Sequence, residues 1–132
     1  MISIDLPHGG KWLAGLFDDG WLSAQAQLLV KGTRLLRIEF FLPESTTQRS
    51  KQLLIEANGI KFMHEIERGK TTNIVIDDIR IPLVRYNLYF SEAEDLRGTG
   101  ENRDLGSLVV KIYLDEEAFP ANLQAPLVGA LA

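Results

Sequence analysis

Four carboxylate clusters hold the densest potential chemistry of this 132-residue chain: Asp18/Asp19, Asp77/Asp78, Glu92/Glu94/Asp95 and Asp115/Glu116/Glu117. Two carboxyl groups flanking a sugar can cleave a glycosidic bond, and the same oxygens can instead hold a structural Ca²⁺. Either use demands that the groups converge. Neighbouring residues of a strand point to opposite faces, so adjacent acidic pairs mark solvated turns unless loops bring them together. No EF-hand spacing occurs, so no cofactor is expected beyond the structural Ca²⁺ that these oxygens could hold.

The remaining residue types mostly exclude chemistry. His8 and His64 are the only histidines; far apart, they cannot build a cupin-type metal centre, and His64 falls in register with Ile60, Phe62 and Ile66 as a core or rim residue. The absence of cysteine excludes disulfides, Cys-containing zinc sites and thiol catalysis, and it fits a cytosolic protein. None of Ser3, Ser23, Ser45, Ser50, Ser91 or Ser107 lies in a nucleophile-elbow context. Gly98-Thr99-Gly100 is followed by a strand pattern rather than a helix, which removes a phosphate cradle. The aromatic residues carry more promise, because a flat ring can stack on the apolar face of a sugar while nearby carboxylates, amides or Arg bond its hydroxyls. Trp12, Trp21, Tyr86, Tyr89 and Tyr113 are the candidates. Tyr89 and Tyr113 fall opposite the apolar stripes of their strands and are expected to be exposed, whereas Trp21 beside a turn is expected to pack.

The elements that must position these residues are strands. In 36–42, Leu36, Ile38, Phe40 and Leu42 share one face while Arg37 and Glu39 take the other. Asn58-Gly59 between two alternating runs predicts a hairpin over 52–68 with a type I′ turn. Residues 71–79 alternate through Ile74 and Ile76, and after Pro82 the set Val84, Tyr86, Leu88 and Phe90 faces one way. In 107–114 the same reading puts Leu108, Val110, Ile112 and Leu114 inward and Lys111 and Tyr113 outward. Two further strands, 11–17 and 21–30, flank Asp18-Asp19-Gly20, a tight-turn composition. The sum is about eight strands with no sustained helical period, which predicts an all-β fold, an antiparallel two-sheet β-sandwich of jelly-roll type. It occupies 1–115. Residues 116–132 shift to Ala, Pro and Leu and read as a C-terminal extension or a linker.

A chain of this length with 45% hydrophobic residues supports one core and folds unaided. At a net charge of −4, with Lys and Arg dispersed, it lacks the basic stripe that nucleic acid or an anionic membrane would need. No nucleic-acid partner is expected. The first residues, MISIDLPHGG, lack the pattern of a secretory signal, and no apolar run reaches the ~18 residues that span a bilayer. A cytoplasmic protein without membrane insertion is therefore expected.

The order of motifs adds a resemblance. Gly15-Leu16-Phe17-Asp18-Asp19-Gly20-Trp21 precedes the alternating strands and the Asn-Gly hairpin, and Asn102-Arg103-Asp104-Leu105-Gly106 leads into a final strand. Over 15–114 this resembles the small β-sandwich accessory domains appended to bacterial glycosyltransferases of cell-surface polysaccharide synthesis, in which a D-G-W segment near the start and an R-x-L-G segment before the last strand recur. The resemblance implies a non-catalytic accessory module of carbohydrate-binding type, with a glycan or a glycosyltransferase as partner. The motif residues have fold-defining roles available to them. Asp18 and Asp19 can accept turn N–H bonds, Trp21 can cover one end of the core, Arg103 can pair with a loop carboxylate, and Gly106 with Leu105 can set the entry of the last strand.

The leading expectation is thus a non-enzymatic module, with ligand contacts drawn from Tyr89, Glu92, Glu94, Asp95 and Tyr113. The outer loop 92–101 supplies the acidic part of that set. The alternative is a structural module that forms a homo-oligomer through an exposed sheet face or its apolar C-terminal segment. A small glycan-active enzyme using Glu92, Glu94, Asp95 and Asp104 ranks third.

Overall fold

Period-two burial builds this molecule. The computed structural model describes residues 9–44, 46, 48–77, 79–91, 105–121 and 123. Among them are nine strands and no helix: β1 Gly10–Leu16, β2 Trp21–Lys31, β3 Leu36–Phe41, β4 Ser50–Ala57, β5 Ile60–Glu67, β6 Thr71–Ile76, β7 Leu83–Phe90, β8 Leu105–Leu114 and β9 Glu117–Pro120. No helix long and apolar enough to cross a membrane occurs among the described residues. In β3 the residues Leu36, Ile38 and Phe40 are buried, and in β7 Val84, Tyr86, Leu88 and Phe90 are buried, as their alternation requires. Each such side chain contributes about 1.5–3 kcal/mol on leaving water.

All strand pairs are antiparallel, in the order β5-β4-β7-β2-β8-β3-β6, with β1 added to β2 and β9 to β8. The result is an antiparallel sheet that nearly closes into a barrel. At one end Leu42, just after β3, forms a bridge with Arg68, just after β5, and the Gly69 N–H donates to the Leu42 carbonyl at 2.6 Å. Inside lies one apolar core to which β2, β3, β4, β6, β7 and β8 all contribute, with the Phe40 and Phe90 rings meeting edge to face at 6.2 Å.

Strand β2 is the hub. Its stretch Gln25 to Lys31 pairs with β7, while Trp21 and Ser23 pair with Leu108 and Leu105 of β8. Consecutive strands β7 and β8 therefore engage successive stretches of one partner strand, so the chain leaves β2 opposite Gln25 and returns to it opposite Ser23. The β4–β5 hairpin has the expected form: Ala57 opposes Ile60, and Asn58 and Gly59 have φ of 54° and 78°, as a type I′ turn needs.

One expectation needs correction. Val110 is not a core residue: it is 41% exposed, Leu108 is half-buried, and Val109 takes the inward position. The cause is a bulge, because Glu39 opposes Lys111 while Phe40 opposes Val109, and the residue left over is Val110. Strict alternation returns beyond it with Ile112 and Leu114, both buried. Beyond 115, Glu117–Pro120 of the expected C-terminal extension forms β9 against β8. Asp115 and Glu116, with φ of 51° and 70°, make the turn between them, and Phe119 and Leu123 enter the core. Trp12 locks this end, its Nε1 donating to the Ala121 carbonyl at 2.7 Å.

Candidate functional site

Register places Tyr89 among groups that suit a sugar. On the outer face, opposite the buried stripe of β7, Tyr89 stands directly across from Gln25 of β2 on one side and Leu54 of β4 on the other, and Leu54 stands across from Met63 of β5. The adjoining row runs Ala14, Gln27, Asn87, Glu56 and Lys61 across β1, β2, β7, β4 and β5. The face thus alternates an aromatic-apolar row with a row of amides and a carboxylate. Tyr89 is 38% exposed. A shallow depression of about 200 Å³ beside its ring is lined by Ala14, Gln25, Gln27, Asn87 and Tyr89.

Each member is there for a local reason. Tyr89 and Asn87 occupy the outward positions of a strand whose inward positions are Tyr86, Leu88 and Phe90. Gln25 and Gln27 alternate with buried Ala26 and Leu28. Asn87 Nδ2 donates to Glu56 Oε1 at 3.4 Å, which orients the amide. Small side chains keep the depression open: Ala14 is on its rim, and Gly15, with φ of 93°, packs so close to Ala26 that a Cβ would overlap it. Amides and a carboxylate together offer both donors and acceptors, the set that vicinal hydroxyls require.

The other expected ligand residues distribute differently. Tyr113 lies on β8 opposite Arg37 of β3, whose guanidinium stacks 3.6 Å from the ring centroid and also reaches Asn73 Oδ1 at 3.5 Å. One face of that ring is thereby covered. No strand register brings Tyr113 to Tyr89. Glu92, Glu94 and Asp95 lie outside the described residues, as do Arg103 and Asp104. The described ends of their segment, Ser91 and Leu105, adjoin the Tyr89 end of β7 and the start of β8.

Two turn carboxylates accept backbone N–H groups. Asp19 Oδ1 accepts the Trp21 N–H at 3.3 Å in the β1–β2 turn, where Asp18 is exposed. Trp21 itself is half-buried opposite Leu108. Asp115 Oδ1 accepts the N–H groups of Arg34 and Leu35 at 2.8 and 3.0 Å. Ser107 is fully buried and donates to the Phe41 carbonyl at 3.2 Å, an interior role rather than a nucleophile's. Among the described residues no three His, Cys, Asp or Glu side chains are grouped as metal ligands.

One central residue escaped the sequence reading. Lys51 is 1% exposed, and its Nζ donates to the carbonyls of Leu105 at 3.0 Å and Gly106 at 2.8 Å. The available signal was parity: Lys51 shares its face with Leu53, Ile55 and Ala57. Gly106 is constrained further, since a Cβ there would overlap the Phe90 ring. His64, opposite Leu53 on the inner side of β5, is half-buried, and desolvation lowers its pKa below the ordinary value. Burial pushes the Tyr86 hydroxyl up to about 12. No protein-family model, curated protein or solved structure matches this chain.

Proposed function

We propose that this chain is a non-enzymatic module that binds glycan on the outer face of β1, β2, β7 and β4, centred on Tyr89. The carrying observation is the register that sets Tyr89 beside Gln25 and, one row on, Gln27, Asn87 and Glu56. A phenol ring offers an apolar platform with a polar tip, and planar amides on a rigid sheet can bond adjacent hydroxyls without first ordering a loop. The resemblance of its turn motifs to accessory domains of surface-polysaccharide glycosyltransferases supports a bacterial polysaccharide as the ligand class, a glycosyltransferase as the protein served, and a cytoplasmic setting. In the same reading, β5-β4-β7-β2-β1 and β6-β3-β8-β9 are two facing layers of a jelly-roll-like sandwich joined through β2.

The test is binding to an array of bacterial surface polysaccharides with the native chain, Tyr89→Ala and Tyr113→Ala. Binding that falls at least about tenfold in Tyr89→Ala and persists in Tyr113→Ala is expected. Absence of binding to every polysaccharide sinks the reading, and an unaffected Tyr89→Ala moves the site elsewhere.

A further inference from the structure

The outer edge of β5 has no strand paired to it among the described residues, and β5 is the terminal member of the sheet order. Which of its backbone groups face outward follows from the hairpin. Across β4 the Gln52 carbonyl accepts the Ser91 N–H at 2.9 Å, on the β7 side, so Gln52, Leu54 and Glu56 turn their peptide groups toward β7. Leu53, Ile55 and Ala57 then bond His64, Phe62 and Ile60 of β5. The peptide groups of Lys61, Met63 and Glu65 are left pointing away from the sheet. Such an edge pairs readily with another strand unless charge or a bulge blocks it.

The side chains at these three positions are self-complementary. Met63 is 60% exposed, with Lys61 and Glu65 exposed two residues to either side. We infer that two copies of this chain pair β5 to β5 antiparallel, around a twofold axis through Met63. In that register Met63 opposes Met63 of the other copy, Lys61 opposes Glu65 twice, and Phe62 opposes His64 on the inner side. The hydrogen-bonding parity is satisfied, because Met63 and the Lys61/Glu65 pairs are the ones whose peptide groups face outward. Opposite charges directly across a ladder stabilise it and like charges oppose it. Sliding by one step, so that Lys61 opposes Glu67, would set Met63 against Glu65 and compete with the Glu67 to Lys70 ion pair at 2.7 Å. The paired sheet would run unbroken through both copies, as isologous twofold contacts do.

Sedimentation of the native chain at about 100 µM, together with Lys61→Glu and Glu65→Lys, tests the register. The native chain is expected to be a dimer. Each single variant is expected to dissociate, with affinity lowered at least about tenfold, because it places two like-charged pairs across the axis. Mixing the two variants in equal amounts restores opposite charges at both ends, so the mixture and the double variant Lys61→Glu/Glu65→Lys are expected to recover the dimer. Circular dichroism of each variant verifies that it is folded. A monomeric native chain, a dimer indifferent to both single changes, or folded variants that fail to re-associate on mixing would each overturn the inference.

Discussion

The Lys51 ammonium lies 2.8 Å from the carbonyl oxygen of Gly106, and that glycine lies against the Phe90 ring. Three strands meet at this point: β4 supplies the lysine, β7 the ring, and β8 the glycine. Because β7 and β8 pair with successive parts of β2, the segment between them is an excursion whose two ends are held within a short span of one strand. Lys51 bonds the carbonyls of the returning end while the Phe90 ring packs against its glycine.

Removing the lysine head should cost more than a surface charge would. Lys51→Met keeps most of the buried stem but leaves two buried carbonyls without their donor, a loss of about 1–3 kcal/mol. Lys51→Ala adds a cavity and should cost roughly 3–5 kcal/mol. Urea unfolding of both variants checks the ranking, and an unchanged midpoint for Lys51→Met would show that the two bonds contribute nothing.

Gly106→Ala should destabilise by about 2–4 kcal/mol, since the new methyl would meet the Phe90 Cγ at 2.7 Å and the ring is 6% exposed with little room to move. Phe90→Leu removes the obstructing edge. The double variant should therefore be less damaged than the two single losses added together, with a coupling of at least about 1 kcal/mol. Strict additivity would mean that Phe90 is not what excludes the side chain.

The strands were legible because a half-buried strand writes its burial into the sequence every second residue, and Asn58-Gly59 writes its turn as plainly. What failed has equally physical causes. Val109 and Val110 are both apolar, so the sequence around them reads equally well in either parity, and only the opposing β3 decides which one bulges. Strand β9 is four residues held mostly by its two-residue turn and by β8, and its own alternation is too short to read. The exposure of Tyr89 was readable from β7 alone. Its neighbours Gln25 and Leu54 were not, because cross-strand register between distant segments leaves no local trace. Lys51 shared the parity of a core stripe, but its acceptors are backbone carbonyls of β8, which no residue type announces.

On the proposed glycan face, Tyr89→Phe keeps the ring and loses only the hydroxyl, so affinity should fall less than about threefold. Asn87→Ala removes an oriented amide and exposes Glu56 to water, and the loss should reach about tenfold. Titration calorimetry against the polysaccharide identified by the array separates them. A Phe variant as weak as Tyr89→Ala would assign the recognition to the hydroxyl rather than to the ring.

Stability should fall in strong alkali through Tyr86. The folded state holds this hydroxyl at about 12, above its ordinary value of 10.0, because burial penalises the phenolate. An acid whose folded pKa is raised leaves stability unaffected below the unfolded value and lowers it as pH climbs toward the folded one. The fall should amount to about 2 kcal/mol between pH 10 and pH 12. Tyr86→Phe has no proton to lose there, so its pH dependence over that window should be flatter by the same amount. Parallel curves for the two proteins would exclude Tyr86 as the cause.

Asp115 combines two separable roles, and three substitutions resolve them. Its Oδ1 accepts the Arg34 and Leu35 N–H groups, and its φ of 51° lies in the left-handed region that most side chains avoid. Asp115→Asn keeps an acceptor oxygen and a residue type that tolerates this backbone, so it should cost less than about 1 kcal/mol. Asp115→Gly tolerates the backbone but abandons both N–H groups to solvent, for roughly 1–2 kcal/mol. Asp115→Ala loses the bonds and also strains the turn, which should bring the loss to roughly 2–4 kcal/mol. Thermal and urea unfolding should therefore rank the variants Asn, Gly, Ala in falling stability. Equal losses for Gly and Ala would remove the backbone contribution, and an Asn variant as weak as Gly would make the negative charge, rather than the acceptor geometry, the element that holds β9 to the β2–β3 connection.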